Sequence, residues 1–158
     1  MSLVQFAQLA ALIAVVANGA VYGTDVFCAI VLRPALAQVD DEALSAVSGF
    51  VHRYGDRRMP VPGVVGVVAA AASAAVAAAA AHWAQAISAG VAVMLLFAWL
   101  MLYLRVSAPI NRQLTAAADR GRVLPNVRVL QADWDRIINA RALLQGLALA
   151  ALCLALIA

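Results

Sequence analysis

Three polar residues share one face of the first long apolar segment of the chain. Asn18, Tyr22 and Asp25 stand at i, i+4 and i+7, which puts an amide, a phenol and a carboxyl on one side of a helix. A charged side chain inside a membrane span costs about 2.5–3.5 kcal/mol even on lenient insertion scales. An ionisable residue retained at this cost is a functional candidate, and for the Asp25 carboxylate the candidate role is that of a proton acceptor. The alternative is a structural ion pair with an arginine of another span, for instance Arg105 or Arg141.

A second polar and aromatic group surrounds the loop between the third and fourth apolar segments. Asn111 follows the third segment, and Trp134, Asn139 and Arg141 lead into the fourth. If the spans alternate in direction, these residues reach the same membrane depth as Asp25, where bundle helices often form ligand sites. The alternative interpretation is that arginine and tryptophan at span ends are interfacial anchors.

The composition defines the elements that must position these residues. The chain has 158 residues, 66% of them hydrophobic and 12% charged, with a mean hydropathy of +0.93. Soluble domains are about half apolar and about a quarter charged, so this is predicted to be a membrane protein with lipids as its surroundings. A span needs about 20 apolar residues, so four spans fit within one integral membrane domain. The basic pI of 9.4 then indicates topology and no nucleic-acid partner.

The predicted fold class is all-α, a four-helix transmembrane bundle with a short amphipathic surface helix between spans one and two. Arg33-Pro34 is expected to close span one, and the surface helix runs from Val39 to Tyr54 and ends at Gly55. Residues 82–85 form a tight turn between spans two and three. Arg105 and Pro109 are expected to end span three, after which an Arg-rich loop reaches Pro125. The predicted spans are residues 3–32, 61–81, 87–104 and 142–158.

Orientation is predicted from the arginines. All eleven basic residues are Arg, and every one lies in the first or third loop or beside it, while the second loop and both tails have none. Basic residues favour the cytoplasmic side, so both long loops are predicted to be cytoplasmic and both termini outside. The expected location is the inner, plasma membrane of a bacterium. On span one Gly19 and Gly23 favour close packing within the bundle, with a homo-oligomer contact as the alternative.

Neither the cysteines nor the histidines predict a metal or cofactor site. Cys28 and Cys153 lie in apolar sequence without metal-ligand spacing and are interpreted as small buried hydrophobes. His52 and His82 are predicted to lie at opposite ends of span two, separated by about 30 Å of hydrocarbon. Both are interpreted as interfacial polar residues, so no metal and no cofactor are expected.

Three short motifs occur in order along nearly the whole chain. They are Ala20-Val21-Tyr22-Gly23 followed by Arg33-Pro34-Ala35-Leu36, then Pro109-Ile110-Asn111-Arg112-Gln113-Leu114, and finally Trp134 with Asn139-Ala140-Arg141. In this combination the chain resembles the anthrone oxygenase family of small four-span membrane proteins, most of them of unknown function.

The resemblance implies a four-helix membrane bundle with Asn111, Trp134, Asn139 and Arg141 as characteristic polar positions. The family's named activity is oxygenation of anthrones to anthraquinones in polyketide pathways, without a metal or flavin. Many members have His where this chain has Ala140. If that His is the acid/base group, this protein uses another residue or does not perform the reaction.

The predicted enzyme is a cofactor-independent oxygenase that removes a proton from an electron-rich carbon acid and stabilises the enolate. Asp25 is the predicted base, and Arg141 with Asn139 or Asn111 would donate to the enolate oxygen. The predicted contacts to a flat lipophilic aromatic substrate are Tyr22, Asn111 and Trp134. The alternative is a non-enzymatic protein that binds lipid or a small molecule, or an accessory subunit of a larger membrane complex. A polar cluster lining a pocket favours the enzyme or the binding protein, and an Asp25 and Arg pair that fills the mouth of the bundle favours the structural role.

Overall fold

The chain forms an all-α bundle, which confirms the predicted fold class. A computed structural model describes all residues 1–158 and contains helices but no strands. Two five-residue π-helical turns interrupt the α-helices, at Cys28–Leu32 and Tyr103–Ser107. The α-helices are α1 Leu3–Phe27, α2 Arg33–Leu36, α3 Asp41–Arg58, α4 Pro60–Ala79, α5 Trp83–Leu102, α6 Ala108–Ala118 and α7 Val127–Ile157.

Four continuous helical stretches are long and apolar enough to cross a membrane. Each has a window of mean hydropathy between 1.8 and 2.2 with at most two charged residues. A run of this length with so few charges is typical of a transmembrane helix. The chain is therefore a multi-pass membrane protein. The stretches are Leu3–Leu36, Pro60–Ala79, Trp83–Ala118 and Val127–Ile157.

The prediction that Arg33-Pro34 closes the first span is wrong by one turn. The helical path continues to Leu36 because a π-helical turn precedes the proline. Arg33 donates its backbone N–H to the Cys28 carbonyl, five residues back. Proline lacks an N–H and leaves the carbonyl four residues earlier without its usual partner, and a widened turn accommodates this without ending the helix.

The same device corrects the third span. Pro109 stands at the start of α6, directly after the π-helical turn, and Ala108 donates its N–H to the Tyr103 carbonyl. The predicted Arg-rich loop is thus helical as far as Ala118. Helix α7 is unbroken from Val127, so the residues that lead into the predicted fourth span belong to the same helix.

The turn between the second and third spans is one residue shorter than the predicted turn at 82–85 and begins two residues earlier. It consists of Ala80 to His82, and Ala81 has a φ of 56°, the left-handed conformation that reverses the chain. Helix α5 begins at Trp83, so Gln85 belongs to the helix and is buried, although the sequence had placed it in the turn.

Helix α3 confirms the predicted helix between spans one and two, with shifted bounds. The Asp40 side chain caps its start by accepting from the Ala43 N–H at 2.8 Å, and it runs past Gly55 to Arg58. It packs closely on α6, where Gly49 faces Ala118 and the Leu114 backbone. The buried face of α3 is mainly small or polar and comprises Leu44, Ser45, Ser48, Gly49 and His52, whereas Val47, Phe50 and Val51 are exposed.

The residues group into two compact units. The first comprises residues 1–23, 61–99 and 143–158, and its core is built mainly from alanines, with Leu96 and Leu152 as its largest side chains. The second comprises residues 24–60 and 100–142, and its core contains larger side chains, among them Trp134, Ile138 and Leu114. The expectation of a single membrane domain stays a prediction.

Candidate functional site

A buried ion pair lies in the second unit. Arg141 of α7 donates from Nη2 to Asp25 Oδ1 at 2.6 Å and from Nη1 to Ser107 Oγ at 2.8 Å. The two charged side chains are 8% and 3% exposed, and Ser107 is fully buried. The ion pair with an arginine of another span, the alternative considered for Asp25, is therefore present. Of the two arginines considered, Arg105 is exposed and Arg141 is the partner.

Two aromatic rings flank the guanidinium of that pair. Its central carbon lies 5.5 Å from the Tyr103 ring centroid and 5.7 Å from the Trp134 ring centroid. A cation within about 6 Å of a ring centroid is attracted by the electron-rich face. Arg141 is thus oriented by a carboxylate, a hydroxyl and two rings.

A second carboxylate, Asp56 of α3, connects the aromatic side chains to this pair. Its Oδ1 accepts from Tyr103 Oη at 2.8 Å and from Asn111 Nδ2 at 2.9 Å. Asn111 Oδ1 in turn accepts from Trp134 Nε1 at 3.1 Å. Sequence reasoning missed Asp56, because it lies in the polar run Asp56-Arg57-Arg58, which indicates only the end of an amphipathic helix.

His52 belongs to the same group of residues, and its interpretation as an interfacial residue is wrong. It is buried, and its ring centroid lies 5.3 Å from that of Trp134. Burial lowers the pKa of His52 from 6.5 to about 4, which the nearby Asp56 carboxylate opposes and the Arg141 charge reinforces. The imidazole is therefore neutral near pH 7. Its position one turn before Asp56 on α3 is the only sequence signal that could have indicated it.

The ion pair, Asp56, His52 and the side chains that contact them form a group of eight residues, which we call the polar cluster and list below. They come from α1, α3, the second π-helical turn, α6 and α7, and all of them belong to the second unit. The second π-helical turn contributes Tyr103 and Ser107 directly, which matches the frequent occurrence of such turns at functional sites. The polar cluster comprises Asp25, His52, Asp56, Tyr103, Ser107, Asn111, Trp134 and Arg141.

Two predicted site residues are not among these. Asn139 is exposed, because it is two residues from Arg141 and therefore lies on a different side of α7. Tyr22 belongs to the first unit, where its Cε2 would lie 3.1 Å from a Cβ added at Gly146. The roles assigned to Tyr22 and Asn139 stay predictions.

The cysteines and the remaining histidine are also placed. Cys28 is buried in the core of the second unit, as predicted, but Cys153 is exposed on α7, so its interpretation as a buried hydrophobe is wrong. His82 is exposed in the hairpin turn. The structure contains no group of three or more His, Cys, Asp or Glu side chains that could hold a metal ion.

Fold and site together define a multi-pass helical membrane protein with a buried, hydrogen-bonded polar cluster. No protein-family model, no curated protein and no solved structure matches the chain. The resemblance to anthrone oxygenases therefore depends on the short motifs quoted above.

Proposed function

We propose that this protein is an anthrone oxygenase-like enzyme that deprotonates a flat, lipophilic carbon acid and lets molecular oxygen oxidise it. One observation supports this above the others. Asn111, Trp134 and Arg141, three of the four positions that carry the resemblance, are hydrogen-bonded or stacked within one cluster. Burying an ion pair in such a cluster is costly, and a functional site is the usual reason to retain charges within membrane spans.

The proposed reaction converts a methylene flanked by aromatic rings into a carbonyl. The base removes one proton, and the enolate that results passes electrons to oxygen and forms a carbon–oxygen bond. The peroxide takes up a proton and then loses water, which leaves the quinone. One atom of the oxygen molecule thus becomes the new carbonyl oxygen and the other leaves in water, so anthrone and oxygen give anthraquinone and water.

Arg141 is the proposed binding group for the enolate oxygen. Its guanidinium is held by Asp25 and Ser107, so little reorganisation is needed when negative charge develops on the substrate. Tyr103, which is half-buried beside it, is the proposed ring contact for a flat aromatic molecule, whereas Trp134 is buried against His52 and the guanidinium. The role that the geometry supports for Asp25 is orientation of Arg141, because its Oδ1 already accepts from the guanidinium.

The membrane setting suits a lipophilic substrate. The Arg distribution supports an orientation with the loops after spans one and three in the cytoplasm of a bacterial cell and both termini outside. In this proposed orientation the polar cluster lies towards the cytoplasmic face. An aromatic molecule dissolved in the bilayer would then reach it laterally between the spans.

One observation favours a second candidate, a non-enzymatic role. Asp25 and Arg141 satisfy each other and are nearly sealed from solvent, which is how a structural ion pair looks. In that case the protein binds a lipid or small molecule without converting it, or packs as an accessory subunit in a larger membrane complex. Mass spectrometry of the purified protein would then show a bound lipophilic molecule or a copurified partner and no turnover.

Oxygen uptake distinguishes the two candidates. Membranes containing the protein are supplied with anthrone, and oxygen consumption is compared with the anthraquinone formed. The proposal predicts one oxygen molecule consumed per quinone, at a rate well above that of membranes lacking the protein. Equal rates in both membranes, with anthrone and with a panel of naphthols, would contradict the oxygenase and leave the second candidate.

A further inference from the structure

We propose that Asp56, on the helix between the first two spans, is the catalytic carboxylate that takes the substrate proton. This inference rests on the oxygenase function proposed above. It replaces the expectation that Asp25 is the base.

The two carboxylates of the polar cluster differ in how their oxygens are used. Asp56 Oδ1 accepts two hydrogen bonds, from Tyr103 and Asn111, and no hydrogen bond engages its Oδ2. Asp25 instead faces a guanidinium at 2.6 Å. A proton acceptor needs a lone pair that the protein has not already occupied. Asp56 Oδ2 meets this condition.

Accessibility separates them further. The Asp25 side chain is only 3% exposed, whereas Asp56 is half-buried. A substrate must come within about 3 Å of the base before a proton can move. Asp56 can be reached without breaking the Asp25 and Arg141 pair, and the guanidinium stays in place for the enolate oxygen.

Two residues that carry the resemblance, Asn111 and Trp134, together orient Asp56. Trp134 donates to Asn111, and Asn111 donates to Asp56, so the indole and the amide form a chain of hydrogen bonds that ends on the carboxylate. Tyr103 fixes the same oxygen from the second π-helical turn. Trp134, Asn111 and Tyr103 are thus positioning residues that hold Asp56 through Oδ1 and leave Oδ2 without a hydrogen bond.

His52 and Tyr103 are the titratable neighbours of Asp56, and the charges of Arg141 and Arg112 act on these neighbours. Because burial keeps the pKa of His52 at about 4, the imidazole carries no positive charge near pH 7 and does not form an ion pair with the carboxylate. The Arg141 charge is already shared with Asp25.

In the proposed step the substrate methylene C–H bond breaks and its proton forms an O–H bond with Asp56 Oδ2. The electron pair stays on the substrate and spreads onto its carbonyl oxygen, near the Arg141 guanidinium. No oxidation state changes until oxygen arrives. The protonated carboxyl can later return the proton to the peroxide.

Hydrogen exchange without oxygen tests this step separately from oxygenation. Anthrone is incubated anaerobically in D2O with the full-length protein in detergent, and deuterium at the methylene is followed by NMR. Wild type is expected to accelerate exchange above the protein-free rate. Asp56→Asn should reduce the acceleration about 100-fold, the scale of general-base catalysis. Asp56→Glu should retain part of it. The matched control is Asp133→Asn, which removes an exposed carboxylate of α7 that pairs with Arg136 of that helix.

Tyr103→Phe is a second variant that keeps every charge and the ring. It should slow exchange about tenfold, the loss expected for one hydrogen bond to a charged group, while anthraquinone binds as in wild type. Acceleration that survives in folded Asp56→Asn and in Tyr103→Phe would overturn the assignment of Asp56 and leave the oxygenase intact. If wild type fails to accelerate exchange, both the assignment and the proposed function are overturned.

Discussion

Arg141 Nη2 lies 2.6 Å from Asp25 Oδ1, and the two residues are 116 positions apart in the chain. The pair therefore joins the first span to the last within the second unit. Both partners are buried, so each depends on the other for its charge to be tolerated. The paired charges also orient the guanidinium on which the proposed chemistry depends.

The first prediction concerns the stability of this pair. Asp25→Asn or Arg141→Met alone should cost about 3–5 kcal/mol, because either change leaves a buried charge without its partner. The double variant should recover much of that loss, because it removes both charges. SDS titration in mixed micelles measures the free energy of unfolding of wild type, the two single variants and the double variant. Single costs that simply add up in the double variant would show that the pair is not coupled.

The second prediction concerns the close contact between α3 and α6. A Cβ at Gly49 would meet the Leu114 carbonyl oxygen at 2.6 Å and would collide with Ala118. Gly49→Ala should therefore destabilise the protein by about 1–3 kcal/mol, the usual cost of overpacking. Gly55→Ala is the matched control on the same helix, where nothing lies within 4 Å. It should be neutral or stabilise by about 0.5–1 kcal/mol. Thermal unfolding in detergent compares them, and equal behaviour would refute the close contact.

Much of the fold could be predicted, because apolar length and Arg placement determine spans almost without tertiary information. The Asp25 partner was also within reach, since a buried carboxylate needs a cation. Helix ends were not, because a proline normally stops a helix and the sequence does not show that a π-helical turn accommodates Pro34 and Pro109.

The remaining site residues depend on packing between distant elements. His52 and Asp56 enter the cluster through the packing of α3, which approaches α6 closely at Gly49. No local pattern encodes that contact. Asn139 belongs to the same motif as Arg141, but two residues along a helix turn the side chain by about 200°.

The third prediction is a pH dependence that comes from His52. Its pKa is about 4 in the folded protein and near 6.5 when unfolded, so between these values the unfolded chain binds more protons. The stabilising contribution is complete above pH 6.5 and is lost as the pH falls towards 4, by as much as about 3 kcal/mol. The groups that face it are Asp56, Trp134 and Arg141. His52→Gln should flatten this part of the curve in detergent unfolding, and an unchanged slope would argue against a buried neutral imidazole.

The fourth prediction concerns orientation in the membrane. Cysteines are introduced singly into a chain that carries Cys28→Ala and Cys153→Ala, and intact cells are treated with a membrane-impermeant maleimide. Cysteines near the N terminus and in the hairpin turn should react from outside, and those on α3 and before α7 only after lysis. The labelled positions are all exposed: Ser2, His82, Val47 and Val123. The opposite labelling pattern would invert the proposed topology.

The proposed function requires that the polar cluster binds a flat lipophilic aromatic molecule, and Trp134 can report on this binding directly. The chain has three tryptophans, so Trp83→Phe with Trp99→Phe leaves Trp134 alone, and a second variant leaves only Trp83, which is 63% exposed at the hairpin. Fluorescence of each purified protein is titrated with anthraquinone. We predict saturable quenching of Trp134, displaced by excess anthrone, and weak, linear quenching of Trp83. Linear quenching of both tryptophans to the same extent would contradict binding at the polar cluster.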